Sequence, residues 1–190
     1  MSNLIETEIR GNALVVKFIR PELRNPLSVA VLEELGEIID TFDRSAIVFT
    51  GTEGVFASGA DLREIANVSR ADAKDFALRG QSLFAKIAAL PQSFAAINGF
   101  CFGGALDLAL ACKKRIASPN AVFSHPGANL GIITGWGGTQ RLPRLIGESR
   151  SLEMFFLAKR VDAVEALKIG LIDEIAPDPL AEALRVCENY

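Results

Sequence analysis

Short apolar runs alternate with amphipathic helical patterns along most of the chain. Residues 4–10 and 13–20 are predicted strands, and the Gly11-Asn12 pair between them is typical of a hairpin turn. Further short, largely apolar runs predict strands at residues 46–50, 93–97, 115–117, 121–124 and 171–175. Apolar residues at helical spacing predict helices at residues 28–42, 69–90, 149–158, 163–169 and 180–187, with an N-cap at Ser28. Strands that alternate with helices in this way predict an α/β architecture.

The segment after the predicted strand at residues 93–97 carries the strongest indication of a functional site. It turns at Gly103 and Gly104 into a predicted helix, whose first N–H groups lack intrahelical partners and can be approached closely by a ligand oxygen. Asp107 lies three residues after Gly104 and is expected on the same helical face as that N–H. A separate apolar stripe is expected to face the core, formed by Ala105, Leu108, Ala109 and Cys112. A lone acid beside an anion-binding main chain is a candidate site; the alternative is an Asp that only stabilises the first helical turn.

Four other residues admit both a structural and a functional interpretation. Gly59 permits a tight bend, and Asp61 after it is expected to cap a helical turn. His125 is the single histidine, which excludes a multi-histidine metal site and leaves either a catalytic base or a packing residue. Trp136 either lines a pocket or packs in the core.

Composition and charge narrow the class of protein. The 190 residues suit one domain, residues 1–190, with ordinary globular composition of 49% hydrophobic and 23% charged residues. A formal net charge of −3 argues against nucleic acid as a partner. No apolar run approaches membrane-spanning length and the first residues do not resemble a signal peptide, so a soluble, cytoplasmic protein with no membrane partner is expected. The cysteines are odd in number and lack metal-ligand spacing, which favours free thiols at Cys101, Cys112 and Cys187.

The glycine-rich segments match none of three common motifs. A Gly-Lys-Ser or Gly-Lys-Thr phosphate loop, a Gly-x-Gly-x-x-Gly dinucleotide motif and a Gly-x-Ser-x-Gly nucleophile elbow are all missing from the sequence. The sequence therefore gives no support for nucleotide binding or for a serine hydrolase.

Four segments together resemble the crotonase (enoyl-CoA hydratase/isomerase) superfamily. They are Phe-Ala-Ser-Gly-Ala-Asp-Leu at residues 56–62, Asn-Gly-Phe-Cys-Phe-Gly-Gly at 98–104, Gly-Trp-Gly-Gly-Thr-Gln-Arg-Leu at 135–142 and Glu-Ala-Leu-Lys-Ile-Gly-Leu-Ile at 165–172. The likeness covers almost the whole chain, in the family's order. It implies a spiral of ββα turns that binds acyl-coenzyme A thioesters. The helical extension that usually follows in the family, which covers the acyl pocket and helps build a trimer, is expected to be absent.

The resemblance also implies roles for individual residues. The main-chain N–H groups of Ala60 and Gly104 would form an oxyanion hole that stabilises an enolate of the thioester. Arg24 falls where family members contact the coenzyme A part, although a loop arginine that is simply solvated is the alternative. The remaining residues expected to lie against the substrate are Gly59, Asp61, Gly103, Gly127 and Trp136.

The chain departs from the family pattern at the positions of the carboxylates. Family hydratases carry two glutamates, of which the first aligns with Asp107 and the second with Gly127. An aspartate that some isomerases and dehalogenases use aligns with Gly135. Only one of the usual carboxylate positions is therefore filled, and Asp107 is the expected acid/base. His125 is a candidate to replace part of the missing group, because residues two apart on a strand share a face.

The resemblance favours hydration of a 2-enoyl-CoA, with no cofactor other than the coenzyme A that is part of the substrate. An isomerase or a decarboxylase of the same superfamily and a non-catalytic acyl-CoA-binding protein are the alternatives. One base suits an isomerase, because one group can take and return a proton. An acyl-CoA substrate and further copies of the chain, in a homotrimer or hexamer, are the expected partners.

Overall fold

The polypeptide repeats a unit of two short strands followed by a helix. The computed structural model describes residues 4–188. The strands are β1 (Ile5–Arg10), β2 (Ala13–Phe18), β3 (Pro26–Leu27), β4 (Ala46–Thr50), β5 (Val55–Ala57), β6 (Gly59–Ala60), β7 (Ser93–Ile97), β8 (Phe100–Phe102), β9 (Lys114–Ala117), β10 (Val122–Ser124), β11 (Val161–Asp162) and β12 (Glu174–Ile175). The α-helices are α1 (Val29–Asp40), α2 (Leu62–Ile65), α3 (Ala73–Ala89), α4 (Gly104–Ala111), α5 (Gly138–Ile146), α6 (Glu148–Phe156), α7 (Ala163–Lys168) and α8 (Pro179–Cys187). Two 3₁₀ turns lie at Pro21–Leu23 and Pro126–Leu130.

Successive units place one strand in each of two sheets. The larger sheet has the strand order β1-β2-β4-β7-β9-β12, and the smaller has the order β11-β10-β8-β5. In each of the pairs β4 and β5, β7 and β8, and β9 and β10, the first strand belongs to the larger sheet and the second to the smaller. Strands β4, β7 and β9 run parallel to one another. A short parallel pair, β3 and β6, lies outside both sheets. This winding confirms the predicted α/β spiral of ββα turns.

Helix α4 lies in the centre of the core. It packs against α3, α5 and β6, and all eight of its residues are buried. The predicted apolar stripe of Ala105, Leu108, Ala109 and Cys112 is buried as expected, and neighbouring elements cover the other sides of the helix as well. Asp107 has an exposed fraction of 0%. A buried carboxyl on an otherwise apolar helix needs a polar environment supplied by other elements.

Most of the helices and strands predicted from local sequence signals are present in the structure. The hairpin of β1 and β2 is confirmed, and the Ser28 hydroxyl caps α1 by accepting a hydrogen bond from Val31 N at 3.3 Å. The long helix α3 begins at Ala73 and not at Ser69, because Ser69 forms a separate turn in which its hydroxyl accepts from Asp72 N. The last predicted strand is shortened to β12. None of the helices between residues 4 and 188 combines the length and apolar character needed to cross a bilayer.

Candidate active site

A cavity of about 370 Å³ opens where two glycine bends meet. Main-chain atoms of Ala60, Gly103 and Gly104 form one part of its wall. Most of the rest is apolar, including Leu62, Ile65, Phe76, Ile132, Trp136 and Phe155. A mostly apolar cavity with a few polar groups is typical of a small-molecule site.

The two bends bring the main-chain nitrogens of Ala60 and Gly104 close together beside the cavity. Gly59 has a φ of +87°, and a Cβ built on it would lie 2.6 Å from Gly104 N. A Cβ on Gly104 would in turn lie 3.4 Å from Ala60 N. Glycine at both positions therefore allows β6 to pack directly against the start of α4. As the first residue of α4, Gly104 has no intrahelical acceptor for its N–H.

Asp107 lies behind this wall, in the first turn of α4. Its Oδ2 accepts a hydrogen bond from the Thr134 hydroxyl and another from Trp136 N at 3.2 Å. Burial raises the pKa of Asp107 to about 6, although these hydrogen bonds act in the opposite direction. The carboxyl therefore titrates close to neutral pH, where an acid/base group is most effective.

His125 lies close to Asp107, directly after strand β10 of the smaller sheet. β10 pairs in parallel with β8, with Ser124 opposite Phe102, and Gly103 N donates to Ser124 O at 2.9 Å. This pairing sets His125 beside the start of α4, with its Nε2 3.7 Å from Asp107 Oδ1. Within residues 4–188 neither His125 ring nitrogen has a hydrogen-bond partner, and Asp107 Oδ1 also has none. Burial lowers the pKa of His125 to about 4, so the imidazole is neutral at pH 7.

The predicted relationship between His125 and Gly127 is wrong. β10 ends at Ser124, and Gly127 lies in the 3₁₀ turn that follows, so the two residues do not share a strand face. Pro126 fixes the start of this turn, because its ring suits the first position of a helix and cannot donate to a strand ladder. Gly127 does line the cavity, but it brings no side chain into it.

Three of the predicted substrate contacts, Arg24, Gly59 and Asp61, are not among the residues that line the cavity. Asp61 caps α2, where its Oδ1 accepts from Arg63 N at 2.8 Å and its carboxylate pairs with the Arg63 guanidinium. That pairing lowers the pKa of Asp61, and the predicted role of Asp61 as a helix cap is confirmed, whereas its contact with substrate stays a prediction. Arg24 is exposed at the end of the first 3₁₀ turn, and its contact with coenzyme A stays a prediction.

Trp136 both lines the cavity and packs in the core. Its indole ring lies between Gly80 of α3 and Gly104 of α4, and a Cβ at Gly104 would lie 2.5 Å from the ring. Phe76 and Phe84 contact it with ring centroids 5.7 and 5.8 Å away. The two interpretations left open by the sequence therefore both apply.

Three further residues of the site were not singled out from the sequence, although Gly138 belongs to the segment 135–142 that carries the family resemblance. Thr134 donates to Asp107, Gly138 packs against Asp107 Oδ1, and the Phe155 ring lies 4.9 Å from the His125 ring. Thr134 and Gly138 flank Gly-Trp-Gly, so the glycine-rich composition of this loop was the other available hint. Phe155 lies on α6, and only the tertiary fold brings it to the site.

The comparison with known protein families agrees with this architecture. A model of the enoyl-CoA hydratase/isomerase family matches residues 8–188. The chain belongs to this family. The superfamily resemblance of the sequence is thereby confirmed.

Individual members of the enoyl-CoA hydratase/isomerase family are similar over nearly the whole chain. The short-chain-enoyl-CoA hydratase of Clostridium acetobutylicum is 37% identical over 194 residues, which cover 98% of this chain and 74% of the relative. A probable mitochondrial enoyl-CoA hydratase of Dictyostelium discoideum is 37% identical over 190 residues, which cover 96% of this chain and 68% of the relative.

Solved structures give the same result for the fold. The crystal structure of an enoyl-CoA hydratase from Bacillus anthracis has a TM-score of 0.91 at 32% identity, and covers 98% of this chain and 76% of that one. The structure of Pseudomonas aeruginosa DspI has a TM-score of 0.93 at 33% identity, and covers 99% of this chain and 80% of that one. The crotonase-like fold expected of the family is therefore confirmed.

Proposed function

We propose that the protein is an acyl-CoA thioester enzyme that hydrates 2-enoyl-CoA. The observation that carries this proposal is the meeting of the Ala60 and Gly104 main-chain amides at the wall of an apolar cavity. Relatives that are 37% identical over nearly the whole chain and are named enoyl-CoA hydratases support the same reaction.

In this proposal the two amides hold the thioester carbonyl oxygen. When water adds to C3, the electrons of the carbon–carbon double bond move toward the carbonyl and negative charge develops on its oxygen. Two N–H donors aimed at that oxygen stabilise the enolate, and loss of one such donor typically costs about 3 kcal/mol in the barrier. Coenzyme A is part of the substrate, and the reaction needs no other cofactor.

Asp107 supplies the acid/base function. Its pKa of about 6 lets the carboxylate accept a proton at neutral pH and return it within the catalytic cycle. The Thr134 hydroxyl and the Trp136 amide fix the orientation of the carboxyl by donating to the same oxygen. The apolar wall beyond them accepts the acyl chain, and exposed Arg24 is our candidate contact for the coenzyme A part.

Turnover of crotonyl-CoA, followed by loss of the conjugated-thioester absorbance, tests this function. We expect Asp107→Asn to lower kcat at least about 100-fold, because it removes the proton-transfer group. Asp43→Asn is the matched control, since the Asp43 side chain is 79% exposed on a distant loop, and it should leave kcat unchanged. If wild type and Asp107→Asn both bind the ester and neither converts it, the protein is a non-catalytic acyl-CoA-binding protein.

Isomerisation of a 3-enoyl-CoA to the 2-enoyl ester is the second candidate. Asp107 is the one carboxylate of the site, because the position of the second family glutamate is Gly127, and one group suffices to move a proton between two carbons. The same assay with a 3-enoyl-CoA separates the two reactions. A decarboxylase would instead release carbon dioxide from a malonyl-type thioester.

We also propose that the protein acts in the cytoplasm as a homotrimer or hexamer. Large apolar side chains on the surface of α6 and α7 support assembly, among them Phe156 with an exposed fraction of 67% and Val164 with 71%. Light scattering coupled to size-exclusion chromatography measures the assembly directly. A monomer at micromolar concentration would contradict this part of the proposal.

A further inference from the structure

We propose that His125 exchanges the proton with the substrate and that Asp107 supports it from behind, so that the acid/base group of this enzyme is the buried His125–Asp107 pair. The inference rests on the proposed function and identifies the group that touches the reacting atoms. His125 is then the catalytic residue, and Asp107 is the carboxylate that orients it and stabilises its charged form.

The surroundings of the Asp107 carboxyl separate it from the cavity, and His125 is the group that lies between them. Oδ2 already accepts from Thr134 and from Trp136 N, and Asp107 itself does not belong to the cavity wall. Oδ1 packs against Gly138 and lies 3.7 Å from His125 Nε2. His125, unlike Asp107, does line the cavity, so the imidazole stands between the carboxyl and the substrate.

The imidazole is available for proton transfer. Both ring nitrogens of His125 are buried and have no hydrogen-bond partner in the part of the chain that the structure describes. Buried polar atoms are normally paired, and an exception calls for a functional explanation. Phe155 packs against the ring with a centroid distance of 4.9 Å and holds its position. A small closure of the 3.7 Å gap would give the His–Asp hydrogen bond.

Among residues 4–188, no other group packed against the pair competes with it near neutral pH. Arg141 of α5 contributes a cation whose Nη1 donates to Trp136 O at 3.3 Å, and its positive charge favours the Asp107 carboxylate. The thiols of Cys101 and Cys112 are buried, which raises the pKa of each and keeps both neutral. Asp107 and His125 are therefore the groups that can gain or lose a proton here.

The pair completes hydration without a second acid. Neutral His125 takes a proton from water while the water oxygen bonds to C3, and the double-bond electrons form the enolate held by the two amides. The imidazolium beside the Asp107 carboxylate then gives that proton to C2, and the enolate electrons return to form the C2–H bond. Water has added H to C2 and OH to C3, and the pair has returned to its first state. This explains how the site works with glycine at position 127.

Steady-state kinetics of His125→Gln, Asp107→Asn and the double variant test the pair. We expect each single variant to lower kcat about 100-fold or more with little change in KM, and the double variant to be no slower than the singles. Asp43→Asn, at the exposed position already used as the control, should leave kcat unchanged. A His125→Gln variant with wild-type kcat would overturn the pair and leave the proposed function standing. A wild type that turns over no enoyl-CoA would overturn both.

A second measurement does not depend on how the variants fold. His125 is the only histidine, so its ring resonances in uniformly ¹⁵N-labelled wild-type protein are assigned without mutagenesis. We expect these resonances to shift when the non-reactive ester butyryl-CoA binds, and to titrate with pH together with the Asp107 carboxyl. Ring resonances that respond neither to butyryl-CoA nor to pH would overturn the proposal.

Discussion

Gly127 lies against the main-chain carbonyl oxygen of Ile132, which a Cβ built on Gly127 would approach to 2.5 Å. The loop therefore closes over this position. Family hydratases place their second glutamate here, according to the alignment of the motifs. The local backbone therefore leaves no room for a side chain at position 127, and a glutamate could be accommodated there only if Ile132 moved.

Gly127→Ala should destabilise the protein by about 1–3 kcal/mol, because the added methyl group must displace main-chain atoms that cannot move like a side chain. The control is Gly135→Ala in the same loop, where a Cβ would make an ordinary 3.9 Å contact with Ala77. Denaturant unfolding of the two variants measures the difference. Equal free energies of unfolding would show that the loop has room at position 127.

Trp136→Ala should both destabilise the protein and widen its cavity. The indole fills the space between Gly80 and Gly104, so its removal is expected to lower the free energy of unfolding by about 3–5 kcal/mol. The vacated volume adjoins the apolar wall, so the ratio of kcat/KM for long over short acyl chains should rise. Ile9→Ala, at a side chain of β1 with 57% exposure, should change neither quantity appreciably. An unchanged chain-length preference in Trp136→Ala would show that the ring does not limit the acyl group.

The stability of the protein should depend strongly on the carboxylate partner of the buried Arg115. The guanidinium is buried and contacts Asp173 Oδ2 at 2.8 Å, Leu171 O at 3.0 Å and Cys112 O at 2.9 Å. Asp173→Ala leaves this buried cation without its counter-charge, and because the Asp173 side chain is itself 41% exposed we expect a loss of about 1–2 kcal/mol in the free energy of unfolding. The control is the half-exposed ion pair of Lys159 and Glu153, where Glu153→Ala should have little effect on thermal unfolding. Similar melting temperatures for the two variants would contradict the argument.

The sequence predicted those parts of the fold that depend on neighbouring residues. The Gly11-Asn12 turn, the Ser28 cap and the apolar strands are local signals, and the structure contains each of them. The helix α5 was missed because Pro143 lies inside it and glycines precede it, both of which normally argue against a helix. In this case tertiary packing of Leu142 and other buried residues outweighs local preference.

The candidate site was predicted only in part, for a similar reason. The bends at Gly59 and Gly104 could be identified from glycine placement and from the family resemblance. The approach of His125 to Asp107 could not, because it depends on the parallel pairing of β8 with β10, which are far apart in sequence. The apolar sequence of residues 104–111 agrees with the burial of α4, but the environment of Asp107 within it depends on the elements that pack around the helix.

The two buried titratable groups should give opposite pH dependences of stability when each is studied alone. Asp107 has its pKa raised from 3.8 to about 6, so between these values the folded state binds more protons than the unfolded state and stability falls as pH rises. His125 has its pKa lowered from 6.5 to about 4, so the unfolded state binds more protons and stability rises with pH. Each shift corresponds to about 3 kcal/mol, and in the wild type the two nearly cancel.

Denaturant unfolding at pH 4.5 and pH 6.5 separates these contributions, at the order of magnitude given by the linkage relation. His125→Gln retains only the Asp107 contribution and should become less stable at the higher pH, relative to the double variant that has neither group. Asp107→Asn retains only the His125 contribution and should become more stable at the higher pH, again relative to the double variant. Using the double variant as reference removes the titration of all other side chains, which the three proteins share. Slopes of the same sign in both single variants would mean that burial does not dominate the titration of the pair.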